Sequence, residues 1–316
     1  MLRLERVSKV YKVGTFGGKD LQAVCNVRFD VGDKEVVSLI GESGSGKSTI
    51  GKMILRLTPA SGGSISFNGK DISTLQGAAL KEYYRCVQGV FQDPFSSYNP
   101  IFKADRVFRM IREAFFPEAG DREWSARLNG CLEAVGLNPE HVLNKYPHQL
   151  SGGQLQRFLI ARALLLDIQF LVADEIISML DASTRIDVLN LLAELKSRGL
   201  SILFITHDLS LAHYISERAV ILYRGCIVEM GETDKIFNSP LHPYTRMLIA
   251  SVPTLDKRWE AKKGSEIETK AGRPAPMRGC AYLERCPQAN ELCGSDRPAL
   301  LEIESGHYVA CTLYES

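Results

Sequence analysis

The chain has 316 residues, of which 45% are hydrophobic, so it can bury a large core and still leave room for a smaller appendage. Its 38 Lys and Arg residues against 37 Asp and Glu residues give a net charge of +1, which argues against a protein that coats nucleic acid, and we expect no nucleic-acid partner. No apolar run is as long as a membrane-spanning helix, and the first residues lack the apolar core of a signal peptide. We therefore expect a cytoplasmic protein, in which cysteine thiols stay reduced.

Three short apolar runs are typical of buried parallel strands, and each is followed by a polar residue or a glycine. They are EVVSLI at 35–40, FLVA at 170–173 and ILFIT at 202–206. Apolar runs of this length that alternate with helical patterns predict a parallel sheet covered on both faces.

Helical patterns follow the first two runs. The apolar positions predicted to share a helix face are Ile50, Met53, Ile54 and Leu57 in one helix and Ile186, Leu189 and Ala193 in another. Residues 102–147 have helical spacing throughout, which predicts a helical insertion, and 218–232 resemble a hairpin that turns at Arg224-Gly225. The polar stretch 256–273 is predicted to be a linker.

The segment GESGSGKST, residues 41–49, matches the pattern G-x-x-x-x-G-K-[ST] and lies between a predicted strand and a predicted helix. The glycines let successive backbone N–H groups converge on phosphate oxygens at the positive end of the helix. Lys47 would reach the β- and γ-phosphates, and Ser48 would bind Mg²⁺. The residues predicted to bind the nucleotide here are Gly41, Ser43, Gly44, Gly46, Lys47, Ser48 and Thr49. The loop alone predicts a nucleotide site and no particular activity.

The segment FLVADE, residues 170–175, supplies a second element of such a site. Asp174, at the end of the predicted strand, can hold the water shell of Mg²⁺ opposite Ser48. Glu175 is then placed to orient or deprotonate the attacking water. Two acidic residues after an apolar strand are by themselves more often a solvated turn, so this interpretation depends on the loop at 41–49.

The segment LSGGQLQR, residues 150–157, begins a further helix. Ser151 and Gln154 form an S-x-x-Q capping box, which could be no more than a helix start. However, Gly152 and Gly153 weaken a helix, and they expose backbone N–H groups at its positive end. The pattern therefore predicts a second phosphate-binding surface.

LSGGQ after a phosphate-binding loop resembles the signature of the ABC ATPases. The resemblance implies an α/β fold: a P-loop domain at 1–255, with a RecA-like core, an N-terminal antiparallel β subdomain and a helical subdomain at about 100–150. It also implies a head-to-tail dimer, in which each ATP is held by one subunit's phosphate-binding loop and by the other subunit's signature. The signature residues that would contact ATP are Ser151, Gly152, Gly153 and Gln154.

The remaining features of the family are found in order along the chain. By resemblance, Tyr11 stacks on adenine, Gln92 binds Mg²⁺ together with Ser48 and senses the attacking water, Asp181 communicates across the dimer, and His207 hydrogen-bonds the γ-phosphate. The catalytic residues implied are Glu175, His207 and Gln92.

The chain departs from the family's usual Asp-Glu-Pro-Thr by having Asp-Glu-Ile-Ile at 174–177. Two β-branched residues predict extended backbone for Ile176 and Ile177, with burial of their side chains. Because Asp174, Glu175 and Asp181 are all present, we expect a site competent for hydrolysis. A non-hydrolysing regulatory partner in a heterodimer remains the alternative.

Three stretches are similar to the ATPases of dipeptide and oligopeptide importers, a group that includes nickel and some oligosaccharide importers. They are FQDPFSSYNP at 91–100, YPHQLSGGQLQR at 146–157 and SPLHPYTRMLIASVP at 239–253. This resemblance implies two transmembrane permease subunits, an extracytoplasmic substrate-binding protein and a second ATPase subunit, usually a paralogue. It also implies a location at the cytoplasmic face of the membrane. DNA-repair or chromosome ATPases have long coiled coils or zinc insertions before LSGGQ, and translation-associated ABC proteins have two ATPase halves; neither is found here.

Four cysteines lie in the C-terminal extension, 256–316, at Cys280, Cys286, Cys293 and Cys311. In a reducing compartment such a cluster favours a metal, but the spacing matches neither zinc pairs nor the bacterial ferredoxin run. Resemblance to the importer group implies that the four thiolates hold a [4Fe–4S] cluster, which would act as a staple for a segment too small to bury its own core. Zn²⁺ and four unlinked reduced thiols are the alternatives.

Overall fold

The computed structural model describes residues 1–13, 19–252 and 278–315. The predicted linker, 256–273, lies outside the described residues. The chain forms two compact units. The first comprises Met1–Val31, Val36–Ser73 and Phe204–Ser316, and the second comprises Gly32–Glu35 and Thr74–Leu203.

Strands and α-helices are numbered in chain order. The strands are β1 (Leu2–Val13), β2 (Lys19–Val31), β3 (Val36–Ile40), β4 (Gly62–Phe67), β5 (Lys70–Asp71), β6 (Val87–Val90), β7 (Phe170–Asp174), β8 (Ser201–Thr206), β9 (Arg218–Tyr223), β10 (Cys226–Glu232), β11 (Leu301–Glu304) and β12 (His307–Val309). The helices are α1 (Lys47–Ile54), α2 (Gly77–Cys86), α3 (Arg106–Phe115), α4 (Asp121–Ala134), α5 (Pro139–Val142), α6 (Gly152–Leu164), α7 (Ala182–Ser197), α8 (Leu209–Ile215), α9 (Thr233–Asn238) and α10 (Pro243–Ala250). Across the described ranges, none of these helices is both long enough and apolar enough to span a bilayer.

The first unit contains an antiparallel sheet in the order β2-β1-β4-β5. Leu2 on β1 pairs with Val31 on one side and with Phe67 on the other, and buried positions alternate with exposed ones at the start of the strand. Period-two alternation is typical of a sheet with one buried face. The antiparallel N-terminal subdomain is thus confirmed.

Five further strands of this unit lie side by side in a second sheet, in the order β11-β12-β10-β9-β3. β3 runs parallel to β9, while β9 and β10 form an antiparallel hairpin. Its turn is at Arg224 and Gly225, whose φ values of 45° and 82° are those of a tight two-residue hairpin turn, as the sequence predicts. β12 pairs with β10, so the end of the C-terminal extension joins the same sheet as β3.

The second unit contains the helical insertion. β6 and β7 run parallel there, with Val90 opposite Ala173. The rings of Phe108 on α3 and Phe158 on α6 lie 4.5 Å apart between centroids, and both side chains are fully buried. The insertion predicted for 102–147 is therefore confirmed, with α3, α4 and α5 as its helices.

Two of the predicted helix faces are partly wrong. α1 ends at Ile54, so Leu57 lies beyond the helix and its side chain is 62% exposed. In α7, Ile186 and Ala193 are exposed, whereas Val188, Leu189, Leu191, Leu192 and Leu195 are buried. The buried face of α7 begins two residues later than predicted. In this orientation the helix buries four leucines and a valine, whereas the predicted orientation would bury Ile186 at their expense.

Candidate functional site

The phosphate-binding loop, residues 41–49, connects β3 to α1 in the first unit. All five residues of β3 are buried, which fixes the start of the loop. Lys47, the first residue of α1, is also buried, and its ammonium donates hydrogen bonds to the carbonyl oxygens of Gly41 at 2.7 Å and Glu42 at 3.0 Å. The positive charge of Lys47 is thereby held against the loop whose N–H groups would receive phosphate.

Glycines are required in this loop for two reasons. Gly44 and Gly46 have φ values of 77° and 101°, a region that residues with a side chain rarely adopt. A Cβ on Gly41 would lie 2.2 Å from the Leu222 carbonyl oxygen, and one on Gly46 would lie 2.4 Å from the Ala23 carbonyl oxygen. The loop is thus packed directly against neighbouring backbone.

Glu42, the second residue of the loop, is held by two side chains from distant parts of the chain. Its backbone N–H donates to the Tyr244 hydroxyl at 3.0 Å. Its carboxylate accepts two hydrogen bonds from the Arg285 guanidinium, at 2.8 and 3.1 Å. Tyr244 belongs to the HPYT segment, residues 242–245, and Arg285 immediately precedes Cys286 in the C-terminal extension.

The HPYT segment begins α10. His242 caps the helix by accepting from the Tyr244 N–H through Nδ1 at 3.0 Å, and Pro243 occupies the first turn. Glu229 on β10 is fully buried and accepts from the N–H groups of Leu241 and His242, both at 2.9 Å. These bonds fix the start of α10 on the sheet that contains β3.

In the second unit, β7 ends at Asp174, which is buried, and Glu175 follows it, half-buried. Glu175 has a φ of 49°, a left-handed conformation that is strained for a residue with a side chain. Its carbonyl accepts from the Ser178 N–H at 3.1 Å and from the Ser178 hydroxyl at 2.9 Å.

Ile176 and Ile177 are buried, as predicted, but the prediction of extended backbone is wrong. Both residues lie in a turn, closed by the two Ser178 bonds and by the Leu180 N–H donating to the Ile177 carbonyl at 3.2 Å. Burial of the two apolar side chains and closure of these hydrogen bonds outweigh the preference of β-branched residues for strands.

Gln92 is exposed and follows β6 by two residues. Because β6 and β7 are parallel and Val90 pairs with Ala173, their carboxyl ends lie at the same edge of the sheet. Gln92 and the Asp174–Glu175 pair therefore follow neighbouring strand ends, as a shared site requires.

The LSGGQ segment starts α6 as predicted. Ser151 accepts from the Gln154 N–H at 3.1 Å, and the Ser151 N–H donates to the Gln154 side chain at 2.9 Å, so the capping box is confirmed. A Cβ on Gly153 would lie 2.7 Å from Cγ2 of Thr184 at the start of α7. Ser151, Gly153 and Gln154 line a shallow cleft of about 290 Å³ together with His141 and Arg157.

Asp181 caps α7. Its carboxylate accepts from the Ser183 hydroxyl at 2.6 Å, the Thr184 N–H at 3.0 Å and the Thr184 hydroxyl at 2.8 Å. These hydrogen bonds, that of Ser183 first, hold the pKa of Asp181 well below its usual range. Thr184 therefore connects two features: its hydroxyl is bonded to Asp181, and its methyl group lies beside Gly153 of the signature helix, α6.

The two remaining predicted residues lie in the first unit. Tyr11 is half-buried on β1, and the Lys9 ammonium lies 4.9 Å from the centroid of its ring. His207 is exposed directly after β8 and before Asp208, which caps α8.

The four cysteines of the extension come together in the first unit. Cys280 and Cys293 belong to a hydrophobic cluster with Tyr223, Tyr244 and Tyr282, and the Cys280 N–H donates to the Cys293 carbonyl at 2.8 Å. Burial raises the pKa of Cys280, a backbone hydrogen bond at Tyr282 lowers it, and the neighbouring thiols of Cys293, Cys311 and Cys286 raise it further. The Cys293 thiol lies 3.1 Å from the hydroxyl of Thr312, which directly follows Cys311. In the ranges that the structure describes, no group of three or more His, Cys, Asp or Glu side chains is arranged to hold a single metal ion.

Sequence reasoning missed the contacts of Tyr244 and Arg285 with Glu42. The HPYT segment was identified only by resemblance, and Arg285 stands next to a cysteine without any motif of its own. Arg285 lies 243 residues from Glu42 along the chain, and no local pattern predicts such a pair.

Two family models match the chain. Residues 24–178 match the model described as ABC transporter, and residues 228–293 match the model described as Oligopeptide/dipeptide transporter, C-terminal region. The second match contains the HPYT segment and three of the four cysteines of the extension.

Similar proteins agree with both matches. The oligopeptide transport ATP-binding protein AppF of Bacillus subtilis is 39% identical, with 99% of this chain and 97% of that protein covered. The oligopeptide transport ATP-binding protein OppF of Salmonella typhimurium is 37% identical, with 93% and 88% covered. A solved dimeric ATP-binding cassette, in a post-hydrolysis state bound to ADP and Pi, superposes with a TM-score of 0.66 at 30% identity, covering 74% of this chain and 99% of that one.

The chain therefore belongs to the ATP-binding subunits of ABC transporters. Within that family it is a member of the oligopeptide and dipeptide transporter group.

Proposed function

We propose that this chain is the ATP-hydrolysing subunit of an importer that takes up di- and oligopeptides through a membrane permease. The observation that carries the proposal is the similarity along nearly the whole chain to oligopeptide transport ATP-binding proteins, including the C-terminal region specific to that group. A phosphate-binding loop with its lysine in place is the chemistry that such a subunit requires.

In the proposed reaction, catalysis consists of positioning and charge stabilisation. Lys47 and the loop N–H groups bind the phosphates, and Ser48 and Gln92 are the residues that would hold Mg²⁺. Glu175 orients the attacking water and accepts its proton. Asp174 would hold the water shell of Mg²⁺, and His207 donates a hydrogen bond to the γ-phosphate. When bound, Mg²⁺ would neutralise the charge that develops on the phosphate oxygens.

A head-to-tail dimer completes each site in this proposal. The N–H groups of Gly152 and Gly153, with Ser151 and Gln154, bind the γ-phosphate of the ATP held by the other subunit, which is a paralogue. Asp181 transmits the state of one site to the other. ATP thus joins the two subunits, and its hydrolysis releases them.

The proposed complex has two transmembrane permease subunits and an extracytoplasmic binding protein, and this chain lies at the cytoplasmic face of the membrane. Exposed apolar side chains on the helical insertion and beside it support docking to the permease; they are Phe95, Ile101, Phe102, Met110 and Tyr146.

We propose that residues 1–255 form the ATPase domain and that 256–316 form the extension. We further propose that Cys280, Cys286, Cys293 and Cys311 hold a [4Fe–4S] cluster. Cys280, Cys293 and Cys311 are buried, the Cys280 N–H donates to the Cys293 carbonyl, and the Cys293 thiol lies 3.1 Å from the Thr312 hydroxyl beside Cys311. Buried thiols of this kind suit the soft ligands that iron–sulfur clusters take. The bound cluster would link 278–293 to 311–314.

The ATPase assignment is tested by purifying the chain with its permease complex and measuring MgATP hydrolysis. We expect hydrolysis that is abolished by Lys47→Ala and by Glu175→Gln. A complex that hydrolyses ATP at the same rate with Glu175→Gln would favour the alternative, a non-hydrolysing regulatory subunit whose partner does the chemistry.

The cluster is tested by an absorption spectrum and metal analysis of protein purified without oxygen. We expect a brown protein with about four irons per chain, lost when the four cysteines are changed to serine. If the protein contained stoichiometric zinc, the four cysteines would form a structural zinc site instead of a cluster. If it contained no metal, the four cysteines would be reduced thiols.

A further inference from the structure

The starting observation is that Glu42 is engaged through all three of its polar groups. Its carbonyl accepts from Lys47, its N–H donates to Tyr244, and its carboxylate accepts from Arg285. Glu42 therefore contacts Lys47 of the phosphate-binding loop, the HPYT segment and the C-terminal extension.

Tyr244 is a rigid support for this contact. Its side chain is fully buried, and its ring lies 4.6 Å from that of Tyr223 and 5.3 Å from that of Tyr282. The His242 cap and the buried Glu229 fix the backbone that carries it. A hydroxyl held in this way offers an acceptor to the Glu42 N–H at a fixed position.

Arg285 provides the second support. The guanidinium and the carboxylate form a two-bond fork, whose geometry is more specific than that of a single bond. Only 21% of the Arg285 side chain is exposed, and its guanidinium lies 5.8 Å from the ring centroids of both Tyr223 and Tyr282. The ion pair is thus partly shielded from water, unlike an ordinary surface pair.

We propose that Tyr244 and Arg285 are positioning residues for the ATP site: they fix Glu42, and through it the start of the phosphate-binding loop and the resting position of Lys47. A loop already held in the binding conformation does not have to be ordered when the nucleotide arrives. The C-terminal extension thereby contributes to ATP affinity through Arg285, whatever its cysteines hold. This inference rests on the proposed ATPase function.

The test uses the full-length chain and equilibrium binding of MgATP, with turnover of the permease complex as a second readout. Arg285→Ala removes the fork, and Tyr244→Phe removes only the hydroxyl while keeping the packing of the three rings. We expect the Kd for MgATP to rise about fivefold in Arg285→Ala and about threefold in Tyr244→Phe. Turnover at saturating ATP should stay within about twofold of the unmodified chain, because neither side chain touches the reacting atoms.

Matched controls separate positioning from general stability. Glu284→Gln breaks the neighbouring Arg224 ion pair, and Tyr314→Phe removes a hydroxyl that bonds to Leu241 and Arg246; none of these three partners belongs to the loop at 41–49. Both should leave the Kd for MgATP unchanged. Arg285→Lys, which keeps the charge but not the fork, should recover part of the affinity.

Glu42→Gln provides a variant at the other end of the contact. Because Glu42 and Arg285 act together, Glu42→Gln combined with Arg285→Ala should raise the Kd no further than Arg285→Ala alone. The proposal would be overturned if the increases in Kd caused by Glu42→Gln and Arg285→Ala were additive in the double variant. It would also be overturned if Arg285→Ala and Tyr244→Phe lowered the melting temperature but left the Kd for MgATP unchanged. If the unmodified chain binds no MgATP, the ATPase assignment itself fails, and that result is distinct from unchanged affinity in the variants.

Discussion

At the scale of single residues, Glu175 combines a predicted catalytic role with an uncommon backbone conformation. It occupies a left-handed backbone conformation directly after a buried strand, where an ordinary turn would use glycine or asparagine. Backbone strain of this kind, of about 1–3 kcal/mol, persists where the surrounding structure enforces it, and it is concentrated at functional sites. Here the Glu175 carbonyl accepts hydrogen bonds from both the N–H and the hydroxyl of Ser178.

For Glu175→Gln we predict that MgATP still binds while hydrolysis falls by about a hundredfold or more, since the amide cannot accept the proton of water. The measurements are nucleotide binding and phosphate release by the same preparation. Glu194→Gln is the matched control, because Glu194 is on the exposed side of α7 and pairs with Arg198. Equal losses in both variants would contradict the role of Glu175.

At the scale of elements, the signature helix and α7 are joined by one close contact. A methyl group at Gly153 would lie 2.7 Å from Thr184 Cγ2, while the Thr184 hydroxyl is bonded to Asp181. Thr184 could move away only by giving up that bond and disturbing the α7 cap.

We therefore expect Gly153→Ala to lower the free energy of unfolding by about 1 kcal/mol, even though alanine favours helices. Gly130→Ala in α4 is the control, since a Cβ there meets nothing within 4 Å, and it should stabilise the protein by about 0.5–1 kcal/mol. Denaturant unfolding of both variants measures the difference. If Gly153→Ala stabilised the protein, Thr184 would be able to move away from the new methyl group without a cost in free energy, and the prediction would be wrong.

The cap of α10 is predicted to be sensitive to pH. Burial lowers the pKa of His242 to about 4, an effect that Arg246 strengthens and Glu229 opposes. Because the unfolded chain binds this proton with a pKa of about 6.5, the stabilising contribution of neutral His242 is complete above that pH and is lost as pH falls toward 4, by up to about 3 kcal/mol.

The measurement is the melting temperature between pH 7 and pH 4.5, compared with His242→Asn. Asparagine is also a good helix cap but does not titrate in this range. We expect the unmodified chain to lose more stability than His242→Asn over this interval, and parallel curves would refute the role of His242.

At the scale of the whole molecule, sequence predicts the parts whose signals are local. The phosphate-binding loop, the Ser151 capping box and the Arg224-Gly225 turn depend on residues within a few positions of each other, and each is found where it was expected. The Ile176-Ile177 turn was missed because tertiary burial overrides a local backbone preference. The contact of Arg285 with Glu42 could not be predicted, because the fold alone brings those residues together.

The measurement that tests the central claim most directly is uptake of a labelled oligopeptide by cells that lack this chain. We predict that uptake is lost, and that it is restored by the unmodified chain but not by Glu175→Gln, because import requires ATP hydrolysis at this subunit. Normal peptide uptake without the chain, together with loss of nickel or oligosaccharide uptake, would contradict peptides as the cargo.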